Sequence, residues 1–194
     1  MKNERLFFDL ISPIYGLADT YFASSFKDAS AVLAKEFSLA GKSVLDIGVG
    51  SGSWALELHK QGAQVTGIDF SQKMLKKAKD RCPREITILQ ADALSLPFAD
   101  QSFDVVTSSL VLHGPGKEKR EKILKEMMRV SRGTLIINDY YKKSPALVHM
   151  AEAFEASDYY YFRDHFEDEL KVFFKKVNVF PGSKGLGLYL AQKY

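Results

Sequence analysis

From Lys42 onward, short apolar runs bounded by turn residues alternate with stretches in which apolar residues recur every three or four positions. Runs rich in Val, Ile and Leu predict buried strands at 43–47, 64–69, 86–90, 103–109 and 134–139. The intervening periodicity predicts helices at 53–61, 71–81 and 117–129, with a loop or short helix at 93–101. Such alternation implies an α/β fold whose parallel sheet is covered on both faces. Upstream, residues 3–38 carry helical periodicity broken at Pro13 and Gly16, and Ser25-Phe26-Lys27-Asp28 reads as the start of the last of these helices. Downstream, 145–157 and 163–174 read as helices. Residues 176–180 and 187–192 read as two strands whose short connection, 181–185, makes them antiparallel neighbours.

Composition narrows the possibilities. A chain of 194 residues suggests one domain with a single core. We divide it into a helical lid at 1–40, a core at 41–139, further lid helices at 140–175 and a hairpin at 176–194. The net charge of +3 neither demands nor excludes nucleic acid. No apolar run approaches the ~18 residues of a membrane span. Leu6 to Ile11 is interrupted by Asp9 and lacks a small-residue cleavage site, so it reads as part of an amphipathic helix rather than a signal peptide. The single cysteine, Cys82, excludes an intramolecular disulfide and fits a reducing, cytoplasmic setting. His59, His113, His149 and His165 share no metal-ligand spacing, and no metal is expected.

The most informative stretch is Val44-Leu45-Asp46-Ile47-Gly48-Val49-Gly50-Ser51-Gly52: a strand ending near an acid, then a glycine-rich turn that lets backbone approach a nucleotide-like ligand. A dinucleotide fingerprint needs a third glycine at the sixth position, where this chain has Ser53. Asp69 ends the second predicted strand, where an ionised carboxylate, acceptor-only, suits the two hydroxyls of a ribose. It also suits the cap of the following helix. Asp92, in Gln90-Ala91-Asp92-Ala93, ends the third strand, and Leu96-Pro97-Phe98-Ala99-Asp100-Gln101-Ser102-Phe103-Asp104 leads into the fourth.

These four elements, in this order across roughly residues 42–139, resemble the class I S-adenosylmethionine (SAM) methyltransferases. Within that family the pattern is closest to the small-molecule branch that includes ubiquinone and menaquinone C-methyltransferases. Phe8-Asp9 and Pro13-Ile14-Tyr15 resemble that branch's N-terminal segment. The resemblance implies a Rossmann-like, seven-stranded, mostly parallel sheet closed by an antiparallel C-terminal hairpin. It implies SAM as cofactor, with S-adenosyl-L-homocysteine as product. The implied cofactor residues are Asp46, Gly48, Val49, Gly50 and Gly52 at the turn, Asp69, Phe70 and Met74 beyond the second strand, and Asp92, Ala93 and Ser109 further on. One departure is visible: the family's Lys-Pro-Gly-Gly turn before the fifth strand is Val130-Ser131-Arg132-Gly133 here.

Methyl transfer from a sulfonium is an in-line displacement that asks the protein for alignment and exclusion of water. An acceptor with a hydroxyl or carbon acid also needs a base. His113 is the candidate, because it follows the carboxyl end of the fourth strand, where open α/β sheets bind ligands. It also reads as a polar residue closing a strand. Tyr15, Tyr140 and Tyr141, with His113, are the candidate wall of an acceptor pocket for a small, mostly apolar molecule. Three other readings compete. A nucleic-acid base methyltransferase is disfavoured by the absence of an Asn/Asp-Pro-Pro-aromatic motif after the fourth strand, while RNA or protein as substrate stays open. A dehydrogenase is disfavoured by Ser53 and the terminal hairpin. A non-catalytic SAM-binding module is disfavoured only at the cofactor end, by the intact acids and glycines.

Overall fold

A computed structural model describes residues 21–141 and 157–193. In chain order they form α1 (21–36), β1 (Ser43–Ile47), α2 (Ser53–Lys60), β2 (Gln64–Asp69), α3 (Gln72–Arg81), β3 (Thr87–Gln90), β4 (Phe103–Ser109) and α4 (Lys117–Val130). There follow β5 (Ser131–Tyr140), α5 (Tyr159–Phe173), β6 (Lys176–Pro181) and β7 (Leu186–Gln192). The strands make one seven-stranded sheet in the order β3-β2-β1-β4-β5-β7-β6. The first five pair in parallel, whereas β7 runs antiparallel to both β5 and β6. The predicted architecture is therefore the observed one.

The central strands are apolar on both sides because both sides are covered. Val44, Leu45, Ile47, Val105, Val106 and Leu135 to Ile137 are all buried. Trp54 of α2 donates its indole N–H to Thr107 Oγ at 3.0 Å, while Phe166 of α5 meets Tyr189 edge-on at 5.1 Å. Thr107 lies beside Ile136, and Tyr189 beside Ile137. Consecutive strand residues point to opposite faces, so α2 and α5 cover opposite sides of the sheet. α1 joins α2, with Phe26 against Trp54 at 6.4 Å. Its Phe22, Phe26, Ala29 and Leu33 form a buried stripe at helical spacing.

Two local expectations change and one open alternative is resolved. Ser25 does not open a helix: α1 already runs from residue 21, and Ser25 is a buried residue inside it. Of the loop or short helix expected at 93–101 the loop forms, with Asp92 and Ser95 making an isolated bridge within a turn. The atypical turn before β5 is hardly a turn, since α4 ends at Val130 and β5 starts at Ser131. The Ser131 hydroxyl makes this possible. It accepts from the N–H groups of Gly133 and Thr134 at 2.9 and 3.1 Å and donates to the Thr134 carbonyl at 3.0 Å. A side chain thus supplies the polar partners that a longer loop would otherwise provide. Tyr15 and residues 145–156 of the predicted helix lie outside the described residues.

Candidate functional site

The glycine turn sits at the carboxyl end of β1, on the edge where parallel sheets bind ligands. Gly48 and Gly52 adopt left-handed φ of 70° and 86°, and a Cβ on either would collide, with Val111 and with the Cys82 thiol respectively. The turn is tied to β2 by two bonds. Val49 N–H donates to the Ile68 carbonyl at 2.8 Å, and Gly50 N–H donates to Asp69 Oδ2 at 3.0 Å. Asp69 Oδ1 accepts from Ser71 N–H at 2.8 Å, just ahead of α3. Asp69 therefore braces the turn and the start of α3 together. Ser71, rather than Asp69, caps that helix, accepting from Met74 N–H at 3.4 Å.

Of the other predicted cofactor residues, Val49 turns its side chain inward against Gly67, so only its backbone belongs to the turn. Met74 is buried and Phe70 half-buried beside Asp69, with Gln90 Nε2 donating to the Phe70 carbonyl at 3.0 Å. Asp92 is half-exposed, and its Oδ1 accepts from Leu94 N–H at 2.9 Å, leaving Ala93 half-buried in the same turn. Arg81 reaches from α3 to the Ser51 and Ser53 hydroxyls and holds the turn from outside. Burial pushes the neighbouring Cys82 thiol up, which keeps it protonated and inert.

Asp46 is the anomaly. It is 1 % exposed, and neither carboxylate oxygen has a hydrogen-bond partner. Burial first, and then the nearby Asp69, push its carboxyl well above the usual range. An unsatisfied acid two residues before a glycine turn is the kind of group that a ligand's cationic end would satisfy.

At the end of β4 the chain turns through Leu110, a non-glycine residue at φ 54°. Asp139 of β5 organises this turn. Its Oδ2 accepts from Val111 and Leu112 N–H at 3.2 and 2.9 Å, and its Oδ1 accepts from Tyr140 N–H at 2.8 Å. The same Oδ1 lies 2.7 Å from His113 Nδ1. A carboxylate only accepts, so Nδ1 carries a proton. Tyr140 packs edge-on against His113 at 4.7 Å and against Tyr159 at 4.8 Å, so His113 and Tyr140 do come together as predicted. Tyr141 does not join them. It lies over Gly187 and meets Tyr189 at 5.9 Å. Ser109 Oγ accepts from Asn138 Nδ2 at 3.1 Å.

Arg120, wholly buried, secures this region from below. Its Nε and Nη2 meet Glu169 at 2.8 and 3.0 Å, and Nη2 also meets Asp158 at 3.1 Å. Its Nη1 donates to the Leu112 and Pro115 carbonyls, on either side of His113, at 3.3 and 2.7 Å. The β4–α4 turn and α5 are therefore pinned by one guanidinium. The sequence reading missed Asp139, Arg120 and Glu169. A signal existed for two of them. Arg120 lies on the stripe of Ile123, Leu124 and Met127, and Glu169 on that of Phe162, Phe166 and Leu170, so each is a charge on an apolar face.

Residues 44–133 match the family model described as "Methyltransferase domain". A demethylmenaquinone methyltransferase from Renibacterium salmoninarum is 40% identical over 102 residues, 52% of this chain and 42% of that protein. The crystal structure of an S-adenosylmethionine-dependent methyltransferase from Mesorhizobium loti is 30% identical with a TM-score of 0.50, over 57% of this chain and 52% of that one. A SAM-dependent methyltransferase from Aquifex aeolicus shares the fold over 94% of this chain and 98% of its own, with a TM-score of 0.68 at 20% identity. The chain spans about half the length of the curated relatives it matches. The glycine turn and its acids fall within residues 44–133, where this chain is similar to SAM-dependent methyltransferases, and the terminal hairpin falls within the shared fold.

Proposed function

We propose that the protein transfers a methyl group from SAM to a small organic acceptor by in-line displacement. The observation that carries this is one sheet edge holding both an acid-floored glycine turn and a histidine whose Nδ1 faces a buried carboxylate. Bound SAM would supply an activated methyl on a cationic sulfur and leave as S-adenosyl-L-homocysteine.

The residues fit that group. The turn from Gly48 to Gly52 gives backbone access. The unpartnered Asp46 and its neighbour Asp69 favour the amino-acid end of SAM, which bears positive charge, over the phosphates of a dinucleotide. Asp69, oriented by Gly50 and Ser71, would accept from the ribose hydroxyls, with Phe70 and Met74 alongside. Asp92 and Ala93 would meet the adenine edge, and Ser109 the methionine side.

His113, held by Asp139, would serve as the base for the acceptor's proton, and Tyr140 would wall the acceptor in. The curated relative is named for demethylmenaquinone, and from that likeness we take an oxygenated aromatic ring as the acceptor class. The described parts of the expected lids, α1 and α5, pack instead as covers on the two faces of the sheet. The single cysteine fits a cytoplasmic setting, and no helix among the described residues is long and apolar enough to cross a membrane.

Calorimetric titration with SAM and with S-adenosyl-L-homocysteine tests the reading. Micromolar binding of both is expected. Folded protein that binds neither would overturn it.

A further inference from the structure

The sheet order ends at β6, and among the described residues no strand pairs with its outer edge. The pairing to β7 fixes which backbone groups face out. Pro181 stands opposite Gly187, and the next N–H, that of Gly182, donates to the Leu186 carbonyl at 2.8 Å. In antiparallel pairs, residues bonded to the neighbour alternate with residues whose N–H and C=O point away. Lys176, Asn178 and Phe180 therefore bond to β7, while Val177, Val179 and Pro181 point outward. Pro181 has no N–H, and in an outward position the ladder loses nothing by it. Val177, Val179 and Phe180 make this edge apolar, and all three are half-buried.

The two faces of the strand differ. Val179 lies opposite Tyr189, which meets Phe166, so Val177 and Val179 stand on the α5 face. Lys176, Asn178 and Phe180 stand on the α1 face, where Phe180 shares a cleft with Asp28 and Val32. Asp28 is exposed and marks the far end of the strand, its Oδ2 lying 3.0 Å from Ser183 Oγ. Lys184, in the same turn, is directed to Tyr21 and Ser24 of α1. Lys176, also exposed, marks the near end. The edge thus carries an ammonium at one end and a carboxylate at the other, with apolar residues between.

Such an edge is complementary to itself. We propose that two copies of the protein join through β6, antiparallel about a two-fold axis normal to the sheet. Val177 of each copy faces Val179 of the other, so every outward N–H of these valines finds a carbonyl. Asn178 meets its own copy on the axis, where an amide both donates and accepts. Lys176 lies across from Phe180 of the second copy, on the same face, and reaches its Asp28. Lys176 and Pro181 are the kind of residues that guard an edge against open-ended pairing, and this register satisfies both. A single strand edge buries little area, so the dimer is a reversible one. The copies run antiparallel, which places their glycine turns at opposite ends. The pairing therefore does not depend on the function proposed above.

Sedimentation equilibrium over a dilution series, up to about millimolar protein, tests this. The wild type should pass reversibly from dimer to monomer. Val179→Pro removes an outward N–H and spares the ladder to β7, as Pro181 does. Symmetry deletes the bond twice, so association should weaken by about tenfold or more. Lys176→Glu should weaken it by about three- to tenfold, the scale of a pair of exposed ion contacts. Adding Asp28→Lys should restore it. Within one copy the two charges stand at opposite ends of a strand roughly 17 Å long, so rescue reports contact between copies. Melting temperatures check folding, and the exposed charge swap decides the matter should Val179→Pro not fold. The proposal is overturned if the wild type stays monomeric throughout, if Val179→Pro folds and dimerises like the wild type, or if the swap fails to restore association. Species that grow beyond a dimer would also overturn it, since β6 pairing with β3 of a neighbour is open-ended, whereas β6 with β6 closes at two.

Discussion

Two buried carboxylates divide the molecule into contrasting halves. Asp46 on β1 and Asp139 on β5 are both essentially inaccessible, at 1 % and 0 % exposure. Asp46 has no hydrogen-bond partner, whereas Asp139 accepts from three backbone N–H groups and also faces His113. The acid of the glycine-turn half is left unsatisfied, an uncompensated desolvation that a ligand's donor would relieve. That of the β4–β5 half is saturated, which is how a scaffold fixes one base in one orientation. One half of the sheet edge is built to receive and the other to hold.

The holding half breaks most visibly at Arg120. Arg120→Met strips Glu169 and Asp158 of their partner and frees the turn that carries His113. Breaking one side of a buried pair costs about 3–5 kcal/mol, to be measured by urea unfolding. Adding Glu169→Leu should recover much of that stability, because a packed apolar pair can replace a buried ionic one. A loss below ~1 kcal/mol in the single variant would show that α5 is held by packing alone. Asp139→Asn acts on chemistry instead. Its amide presents N–H either to the Val111 and Leu112 N–H groups or to His113, so donors face donors. Turnover should fall by about 10²–10⁴ as base catalysis is lost, while calorimetry finds SAM affinity unchanged. An equal loss of SAM affinity would dissolve the distinction between the halves.

The receiving half was readable in the sequence because it is local and made of backbone. Asp46, the glycines and Asp69 lie within 24 residues, and glycine at left-handed φ is itself a sequence signal. Strand and helix periods fixed the sheet for the same reason, down to the antiparallel β7. The holding half joins residues distant in the chain: His113 to Asp139 across 26 positions, and Arg120 to Glu169 across 49. No spacing encodes such pairs. Nothing local marks Asp139 at the end of its strand, and Arg120 sits in a lysine-rich helix. Ser25 misled for a related reason. It has the chemistry of a helix cap, but Ser183, far along the chain, takes its hydroxyl instead.

The receiving half is sharpened by two smaller effects. Asp69→Ala removes the acceptor for Gly50 and Ser71 together with the one offered to ribose, and SAM affinity should drop by about 1–3 kcal/mol, the scale of a hydrogen bond to a charged group. Unchanged calorimetric affinity in a folded variant would take Asp69 out of the site. Asp46→Asn gives the finer test, because stability and binding should move in opposite directions. In the folded protein burial and Asp69 raise the Asp46 carboxyl above its unfolded value, so between those two values the folded state keeps a proton that the unfolded chain has lost. Folding stability must therefore decline as pH rises through that window, from about pH 4 upward, by at most about 1.4 kcal/mol per pH unit. The asparagine cannot ionise, so its stability should lack that slope and should exceed the wild type's at the upper end of the window. It should also bind SAM more weakly, since a neutral amide offers a cationic ligand less than a carboxylate does. If both proteins lose stability with the same slope when melted across pH 4 to 8, Asp46 is satisfied in solution, and the contrast with Asp139 fails at its root.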